Sequence, residues 1–247
     1  MSESEAVAIV RRSLQTGRGG WVITPNLEHL RQFRRRGDLR AMFEEADLIL
    51  ADGMPLVWAS RLQKTPLPGR VPGSALVSSL SAEAASVGAS IFLLGGTPGA
   101  ASRAAASLQG SIPSLTVAGA VCPPVGFERD SGEMAKIASA LCAARPSIVY
   151  VGLGFPKQER LIASIRGLLP EAWFIGVGVT FSFLSGEIPR APAGLQRLGL
   201  EWLHRLTREP RLFRRYVVRG IPFGVTVIGR AFVAGRLSRR PGSSLLS

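Results

Sequence analysis

Three polar residues follow two short apolar runs in the first quarter of the chain. Thr24 and Asn26 come directly after the run 21–23, and Asp52 comes just after the run 48–50. Apolar runs this short, closed by turn residues and separated by helical sequence, are typical of adjacent parallel strands. Because an open parallel sheet binds ligands outside the carboxyl ends of its strands, the three side chains are predicted to face one crevice.

Each of these side chains allows two interpretations. The carboxylate of Asp52 could act as a general base that takes a proton from an acceptor hydroxyl, or it could cap the helix that Pro55 would begin. Thr24 and Asn26 could likewise be helix caps, or they could form hydrogen bonds with sugar hydroxyls. The sequence leaves both interpretations open.

Two glycine-containing turns offer places for a phosphate or a ribose. Gly95 and Gly96 lie between a predicted strand and a helix, where backbone N–H groups can approach an anion, although the dinucleotide-binding fingerprint is incomplete. Lys157 and Gln158 begin a helix just after a second glycine turn, which is a more specific pattern. Capping at the protein surface is the alternative for this second turn.

Two isolated arginines, and the absence of an Asp-x-Asp motif, indicate how the chain would stabilise the phosphate of a bound nucleotide. Arg70 lies in the Pro- and Gly-rich loop 65–73, and Arg190 lies in a turn before the C-terminal segment; each could bind substrate or simply be solvated. The chain has no Asp-x-Asp, which argues against a divalent metal held by carboxylates at a nucleotide diphosphate. A metal-free enzyme would use Arg, Lys and helix N-termini to stabilise the departing phosphate.

The elements that must position these residues alternate regularly along the chain. Six short apolar runs are separated by helical sequence, at about 21–24, 47–51, 91–96, 115–118, 148–153 and 173–177. Such alternation predicts an α/β fold, a Rossmann-like doubly wound parallel sheet of about six strands. We expect this core to occupy residues 1–194 and a helical, basic C-terminal appendage to occupy residues 195–247.

Composition narrows the functional classes. The content of 46% hydrophobic residues is enough for a sizeable core, and the two cysteines lack the spacing of a metal site or disulfide framework. We expect no secretion signal and, because no run of about 18 apolar residues is uninterrupted, no membrane-spanning helix.

The positive charge is concentrated at the end of the chain. The net charge is +13, and residues 203–247 contain ten arginines and one acid, Glu209. This excess implies an anionic partner, such as nucleic acid, lipid headgroups or a phosphorylated substrate. Bulky apolar residues alternate with the arginines, which favours a membrane interface, and the low aromatic content of 7% argues against base stacking.

Eight short motifs occur in a fixed order along the chain. They are TPN-x-EHL (24–30), ADG (51–53), GRVPG (69–73), FLLGG-x-PG (92–99), VGLG-x-PKQE (151–159), RAP (190–192), GLEWL-x-RL (199–206) and EP-R-x-x-RRY (209–216). Together they resemble the WecB/TagA/CpsF family of bacterial glycosyltransferases, over about residues 20–217. One departure is Ser182, where the family pattern has an aspartate between two phenylalanines.

The resemblance implies an inverting, metal-independent transferase without a cofactor. Its donor would be a UDP-sugar, of the N-acetylmannosamine type or a related one, and its acceptor a polyprenyl-diphosphate-linked sugar used in cell-surface polysaccharide or teichoic acid biosynthesis. The fold would be of the type called GT-E. The appendage would dock on an anionic membrane surface and complete the active site, which places the protein in the cytoplasm, peripheral on the inner face of the plasma membrane. Nucleic acid would not be a partner, and homo-oligomerisation stays open.

Roles carry over only to the residues that match these motifs. Asp52 matches the proposed catalytic base, Thr24 and Asn26 match acceptor-pocket positions, and Arg70 and Gln158 match active-site positions. The remaining substrate-binding candidates are Gly95, Gly96 and Lys157 near the donor nucleotide, Arg190 of the RAP motif, and Arg205, Arg211, Arg214 and Arg215 for the diphosphate.

Two other functional classes remain as alternatives at this stage. A Rossmann-type nucleotide-binding oxidoreductase would bind NAD(P)H, but no acid stands about 20 residues after Gly99 at a strand end. A basic nucleic-acid-binding protein would show steeply salt-dependent affinity for DNA and none for anionic liposomes.

Overall fold

The strands form the six-stranded, all-parallel sheet that the sequence predicts. A computed structural model describes residues 1–237 except 35, 193 and 196–198, and the side chain of Arg211 lies outside the described part. The strands are β1 (Gly20–Ile23), β2 (Leu48–Ile49), β3 (Ser90–Gly95), β4 (Thr116–Val121), β5 (Ile148–Gly152) and β6 (Trp173–Gly176). Their order in the sheet is β2-β1-β6-β5-β3-β4, and every pairing is parallel. The predicted α/β class and doubly wound sheet are confirmed.

Nine helices precede, separate or follow these strands in the described part of the chain up to residue 192. They are α1 (Glu3–Gln15), α2 (Leu27–Phe33), α3 (Gly37–Glu44), α4 (Met54–Leu62), α5 (Gly73–Ser86), α6 (Ala100–Ser111), α7 (Ser131–Ala144), α8 (Lys157–Ile165) and α9 (Thr180–Leu184). Short 3₁₀ turns occupy Phe127–Arg129 and Arg166–Leu168.

Helices cover both faces of the sheet, which explains why its central strands are apolar without alternation. All five residues of β5 are buried. On one face the core includes Leu76 and Leu80 of α5, and on the other it includes Ile137 of α7 and Ile162 of α8. A parallel strand buried on both faces reads as a continuous apolar run, which is the signal that the sequence carries.

The C-terminal segment is helical and packs back on the core. It contains α10 (Glu201–Arg208), a 3₁₀ turn (Pro210–Leu212), and a π-helical segment (Arg214–Gly220) that continues into α11 (Ile221–Leu237). Helix α11 lies against α4 and α2. Ala231 of α11 is fully buried, and Gly235 brings the helix backbone up to the carbonyl of Leu62, where any side chain would collide. Small residues therefore allow this close approach.

The helix Arg214–Leu237 bears on the expectation that no helix of the chain spans a membrane. Its 24 residues are long and apolar enough to cross a membrane by length and composition, and 6% of its most apolar stretch is buried. The sequence criterion missed it because Arg230 interrupts the apolar run. At a rise of about 1.5 Å per residue, 24 residues would span about 36 Å, more than the hydrocarbon core of a bilayer, which is about 30 Å thick.

Candidate active site

A cavity of about 940 Å³ lies at the carboxyl ends of β1, β2, β5 and β6, under the C-terminal helices. The core contributes residues from the turns after these strands and from α2 and α4. The C-terminal segment contributes residues from α10, the π-helical segment and α11. The cavity therefore has two walls: a core wall, formed by the residues before 193, and a C-terminal wall, formed by the residues from 199 onward.

Seven of the predicted site residues meet at this cavity. They are Thr24, Asn26, Asp52, Arg70, Gln158, Arg205 and Arg215. They come from four separate turns of the core and from two helical segments of the C-terminal part. The carboxyl ends of the strands account for the residues that follow β1, β2 and β5, whereas Arg70 comes from the loop before α5 and the last two arginines come from the C-terminal helices.

Asp52 lies at the cavity because the chain continues its strand-like pairing beyond β2. The backbone N–H of Leu50 donates to the carbonyl of Ile23 at 2.9 Å, and that of Asp52 donates to the carbonyl of Pro25 at 2.8 Å. Gly53, with φ of 155°, then turns the chain into α4 and occupies its N-cap position. Asp52 does not cap this helix, so the capping interpretation of its carboxylate is excluded.

The electrostatic environment of Asp52 suits a proton acceptor. Burial raises the pKa of its carboxyl group to about 7, Arg70 opposes this rise, and Glu201 adds to it. Among the described residues, no side chain forms a hydrogen bond with the carboxylate. A carboxylate with a pKa near 7 and no internal partner can accept a proton from a hydroxyl placed in the cavity.

An ion pair joins the two walls close to Asp52. The Arg70 Nη1 atom lies 3.3 Å from the Glu201 Oε2 atom, and each side chain is 16% exposed. Arg70 belongs to the loop before α5, and Glu201 is the first residue of α10. The sequence analysis did not propose Glu201 as a site residue; its only signal was an acid inside the GLEWL motif of a basic segment.

Asn26 caps α2 and orients a buried histidine. Its Oδ1 atom accepts from the backbone N–H groups of Glu28 (3.1 Å) and His29 (3.4 Å). The backbone N–H of Asn26 donates to His29 Nδ1 at 3.3 Å. The imidazole stacks on the ring of Phe155, with the two ring centroids 4.1 Å apart. The capping interpretation of Asn26 is therefore correct, and Asn26 lines the cavity at the same time.

His29 also lines the cavity, although the sequence analysis did not propose it. Burial, with a contribution from Arg215, lowers the pKa of its imidazole to about 3. The ring is therefore neutral near pH 7. Because Nδ1 accepts a hydrogen bond, the proton lies on Nε2, which makes this atom a hydrogen-bond donor.

Gln158 ties two of the turns together. Its Oε1 atom accepts from the backbone N–H of Gly154 at 3.2 Å and from that of Gly178 at 3.0 Å, and its Nε2 atom donates to Glu159 Oε1 at 2.9 Å. Burial raises the pKa of Glu159 to about 7, and its Oε2 atom is buried without a partner in the described residues. Gln158 is thus a buried brace between the β5 and β6 turns, and surface capping is excluded.

Three arginines bring positive charge to the cavity from the C-terminal wall. Arg205 pairs with Glu209 at 2.9 Å, and the Arg215 guanidinium lies 5.7 Å from the Tyr216 ring. Within the described chain, the Nε atoms of Arg205 and Arg215 have no hydrogen-bond partner. Arg219 lines the cavity as well, four residues after Arg215, and the sequence analysis passed over it.

The other predicted residues lie outside the cavity lining. Lys157 pairs with Glu128 at 2.9 Å on the surface, Arg190 donates to Ser74 at 3.0 Å, and Arg214 is exposed. The side chain of Arg211 lies outside the described residues.

Gly95 and Gly96 also face away from the cavity. The N–H of Gly96 donates to the carbonyl of Gly152 at 2.7 Å, and a side chain at Gly95 would meet that carbonyl and Leu153. Both glycines have positive φ, 108° and 85°. They thus serve the close packing of the turns after β3 and β5.

Comparisons with known proteins agree with this arrangement. A family model described as "Glycosyl transferase WecG/TagA/CpsF family" matches residues 1–237. A Bacillus spizizenii (strain ATCC 23059 / NRRL B-14472 / W23) protein named N-acetylglucosaminyldiphosphoundecaprenol N-acetyl-beta-D-mannosaminyltransferase is 31% identical over 215 residues, 87% of this chain and 80% of the relative. A Bacillus subtilis (strain 168) protein of the same name is 32% identical over 188 residues, 76% and 70% of the two chains.

Proposed function

Because the chain belongs to the WecG/TagA/CpsF family of glycosyl transferases, we propose that it moves an N-acetylmannosamine-type sugar from a UDP-sugar to a polyprenyl-diphosphate-linked sugar. The names of its two relatives carry the acceptor class and the transferred sugar. Family membership displaces the oxidoreductase and nucleic-acid-binding alternatives.

The proposed reaction is a single displacement that inverts the configuration at the anomeric carbon. The Asp52 carboxylate takes the proton of the acceptor hydroxyl, and the oxygen forms a bond to the anomeric carbon of the donor. The bond from that carbon to the phosphate oxygen breaks, and UDP leaves with the electron pair. The observation that carries this proposal is an unpartnered carboxylate with a pKa of about 7 in a cavity shared with several arginines.

Positive charge would replace a metal ion at the leaving group. Arg205, Arg215 and Arg219 line the cavity opposite the core wall, where they can bind the diphosphates of donor and acceptor. The described residues contain no group of three or more His, Cys, Asp or Glu side chains that could hold a metal ion.

The core wall would recognise sugar hydroxyls. Thr24 Oγ1 is close to the carbonyl of Gly176 (3.5 Å), a weak internal interaction that a ligand hydroxyl can replace. The Nε2–H group of His29 would donate to a sugar oxygen, and because the imidazole has a pKa of about 3, it would do so throughout the neutral range.

The C-terminal helices would hold the enzyme on the membrane that carries its acceptor. On α11, Val225, Val233 and Leu237 are 68%, 56% and 62% exposed, and arginines lie beside them. A helix with exposed apolar and cationic residues can lie in a membrane interface. We place the enzyme on the cytoplasmic side, peripheral to the inner face of the plasma membrane.

Replacement of the proposed base tests the mechanism. Asp52→Asn should lower the rate of UDP release by about 10²–10⁴-fold, because that is the usual contribution of a positioned base. UDP binding, measured by calorimetry, should survive. The assay offers a panel of UDP-sugars together with a polyprenyl-diphosphate-sugar acceptor.

A matched variant controls for the loss of one negative charge. Asp130 caps α7 through its Oδ1 atom, and Asn caps helices equally well, so Asp130→Asn should keep wild-type activity. Full activity in Asp52→Asn would remove the assignment of the base, and absence of transfer from every UDP-sugar by the wild-type enzyme would remove the proposed function.

A further inference from the structure

We propose that the apolar mouth of the cavity, between α4 and α11, binds the first isoprene units of the acceptor's polyprenyl chain. This inference rests on the proposed function and adds a binding site for the hydrocarbon portion of the substrate. The mouth is formed by Trp58 of α4 and by Ile221, Val225, Ile228 and Gly229 of α11.

Large apolar side chains line this mouth although water reaches them. Trp58 is 44% exposed, Ile221 47% and Val225 68%, and all three border the cavity that contains Asp52. A cluster of exposed apolar residues at the rim of a cavity marks a binding surface for an apolar group. The ligand that enters here should therefore carry hydrocarbon as well as polar groups.

The glycines of α11 keep the mouth open. A side chain at Gly224 would press against Leu27, so this glycine lets α11 approach α2. At Gly229, in contrast, no atom lies within 4 Å of the place that a Cβ atom would take. Gly is the poorest residue for a helix interior after Pro, so helix propensity does not explain its presence at this position. The space that the missing side chain leaves at the cavity is a place where a ligand can pack against the helix backbone.

The order of charge and apolar surface matches a lipid diphosphate. Along the helix, the cavity lining changes from Arg215 and Arg219 to Val225 and Gly229. Gly229 follows Arg219 by ten positions, which corresponds to about 15 Å at the rise of an α-helix. An acceptor whose sugar lies at Asp52 and whose diphosphate lies at the arginines would extend its first isoprene units along this apolar stretch. The remainder of the chain would then lie against the exposed side of α11 and in the membrane.

Filling the open position tests the proposal directly. Gly229→Leu adds a side chain where the structure leaves space, and it favours the helix, so loss of folding is not the expected consequence. The assay compares two acceptors with the same diphosphate-linked sugar, one on a long polyprenyl chain in mixed detergent micelles and one on a short, water-soluble alkyl chain. We expect the KM for the long-chain acceptor to rise about tenfold, the effect of denying burial to about two methylene groups. The kinetics with the short-chain acceptor should change little.

A second variant and a control complete the experiment. Trp58→Ala removes the opposite wall of the mouth and should also raise the KM for the long-chain acceptor selectively. Val125→Leu adds apolar volume at a fully exposed residue that lies outside the cavity lining and outside the C-terminal helices, so both acceptors should behave as with the wild type.

The outcomes separate this inference from the function on which it rests. If Gly229→Leu and Trp58→Ala leave both acceptors unaffected, or affect both equally, the apolar mouth does not bind the polyprenyl chain, while the glycosyl transfer stands. If the wild-type enzyme transfers sugar to neither acceptor, the proposed function and this inference are both overturned.

Discussion

Different interactions hold the two walls of the cavity in place. The core wall is buried and hydrogen-bonded: Thr24 and Gln158 are 7% and 4% exposed, and Gln158 is bonded to two turns. The C-terminal wall is basic, and it rests on the core through the packing of α11 on α4 and through the ion pair between Arg70 and Glu201. One wall is built at the carboxyl ends of the strands, whereas the other is a helical segment packed against the core.

This division separates the two tasks of a sugar transfer. The proposed base must keep an elevated pKa, which burial supplies at Asp52, while Glu201 offsets the opposing effect of Arg70. The leaving diphosphate requires several cations, and Arg205, Arg215 and Arg219 of the C-terminal segment bring them to the cavity.

Removal of the C-terminal wall should have the largest effect. Deletion of residues 211–247 takes away Arg215, Arg219 and the apolar helix, so the rate of sugar transfer should fall by at least about 10²–10³-fold, the cost of losing one transition-state donor. Flotation with anionic liposomes should weaken at the same time. Circular dichroism would verify that the core remains folded. Equal flotation of the truncated and intact proteins would contradict a membrane-docking role for the segment.

A neighbouring pair of arginines sharpens the comparison within that wall. Arg215 lines the cavity, whereas Arg214 is exposed outside the cavity lining. Arg215→Ala should therefore reduce kcat for UDP release by about 10²-fold, because a cation at the leaving group is lost. Arg214→Ala is the matched control, with the same change of charge one residue away, and should stay within assay error. Equal losses in the two variants would mean that only the overall positive charge of the segment matters.

The fold was predictable because each strand carries its own local signal. The six apolar runs, their order along the chain and the polar residues at their ends sufficed to predict a parallel sheet and a crevice containing Thr24, Asn26 and Asp52. The family resemblance added Arg70 and Gln158, which also line the cavity. These predictions depend on short segments and on one general rule of sheet geometry, and neither requires knowledge of distant contacts.

The remaining site residues depend on contacts that no local pattern reveals. Glu201 acquires a role only by meeting Arg70, 131 positions away in the sequence. Arg214 and Arg215 could not be distinguished, because the side that faces the cavity is set by a π-helical segment and by the docking of α11. The glycines after β3 were read as a phosphate-binding turn, whereas the structure uses them for close packing between turns.

The contact between the two walls should also tune the base, with the smallest of the predicted effects. Glu201 raises the pKa of Asp52 and Arg70 lowers it. Glu201→Gln removes the negative charge that repels the Asp52 carboxylate and leaves the positive charge of Arg70 without its ion-pair partner. The pKa of Asp52 should therefore fall. Because the base is active when deprotonated, kcat/KM declines as the pH drops through this pKa. The acid limb of the pH profile should therefore move from about pH 7 to lower pH, by about one unit or less.

Arg70→Gln should move the acid limb to higher pH. Glu171→Gln, a change of an exposed residue outside the cavity lining, should leave the acid limb in place. An acid limb that ignores both charges, or that moves in the same direction in both variants, would show that the titrating group is not Asp52.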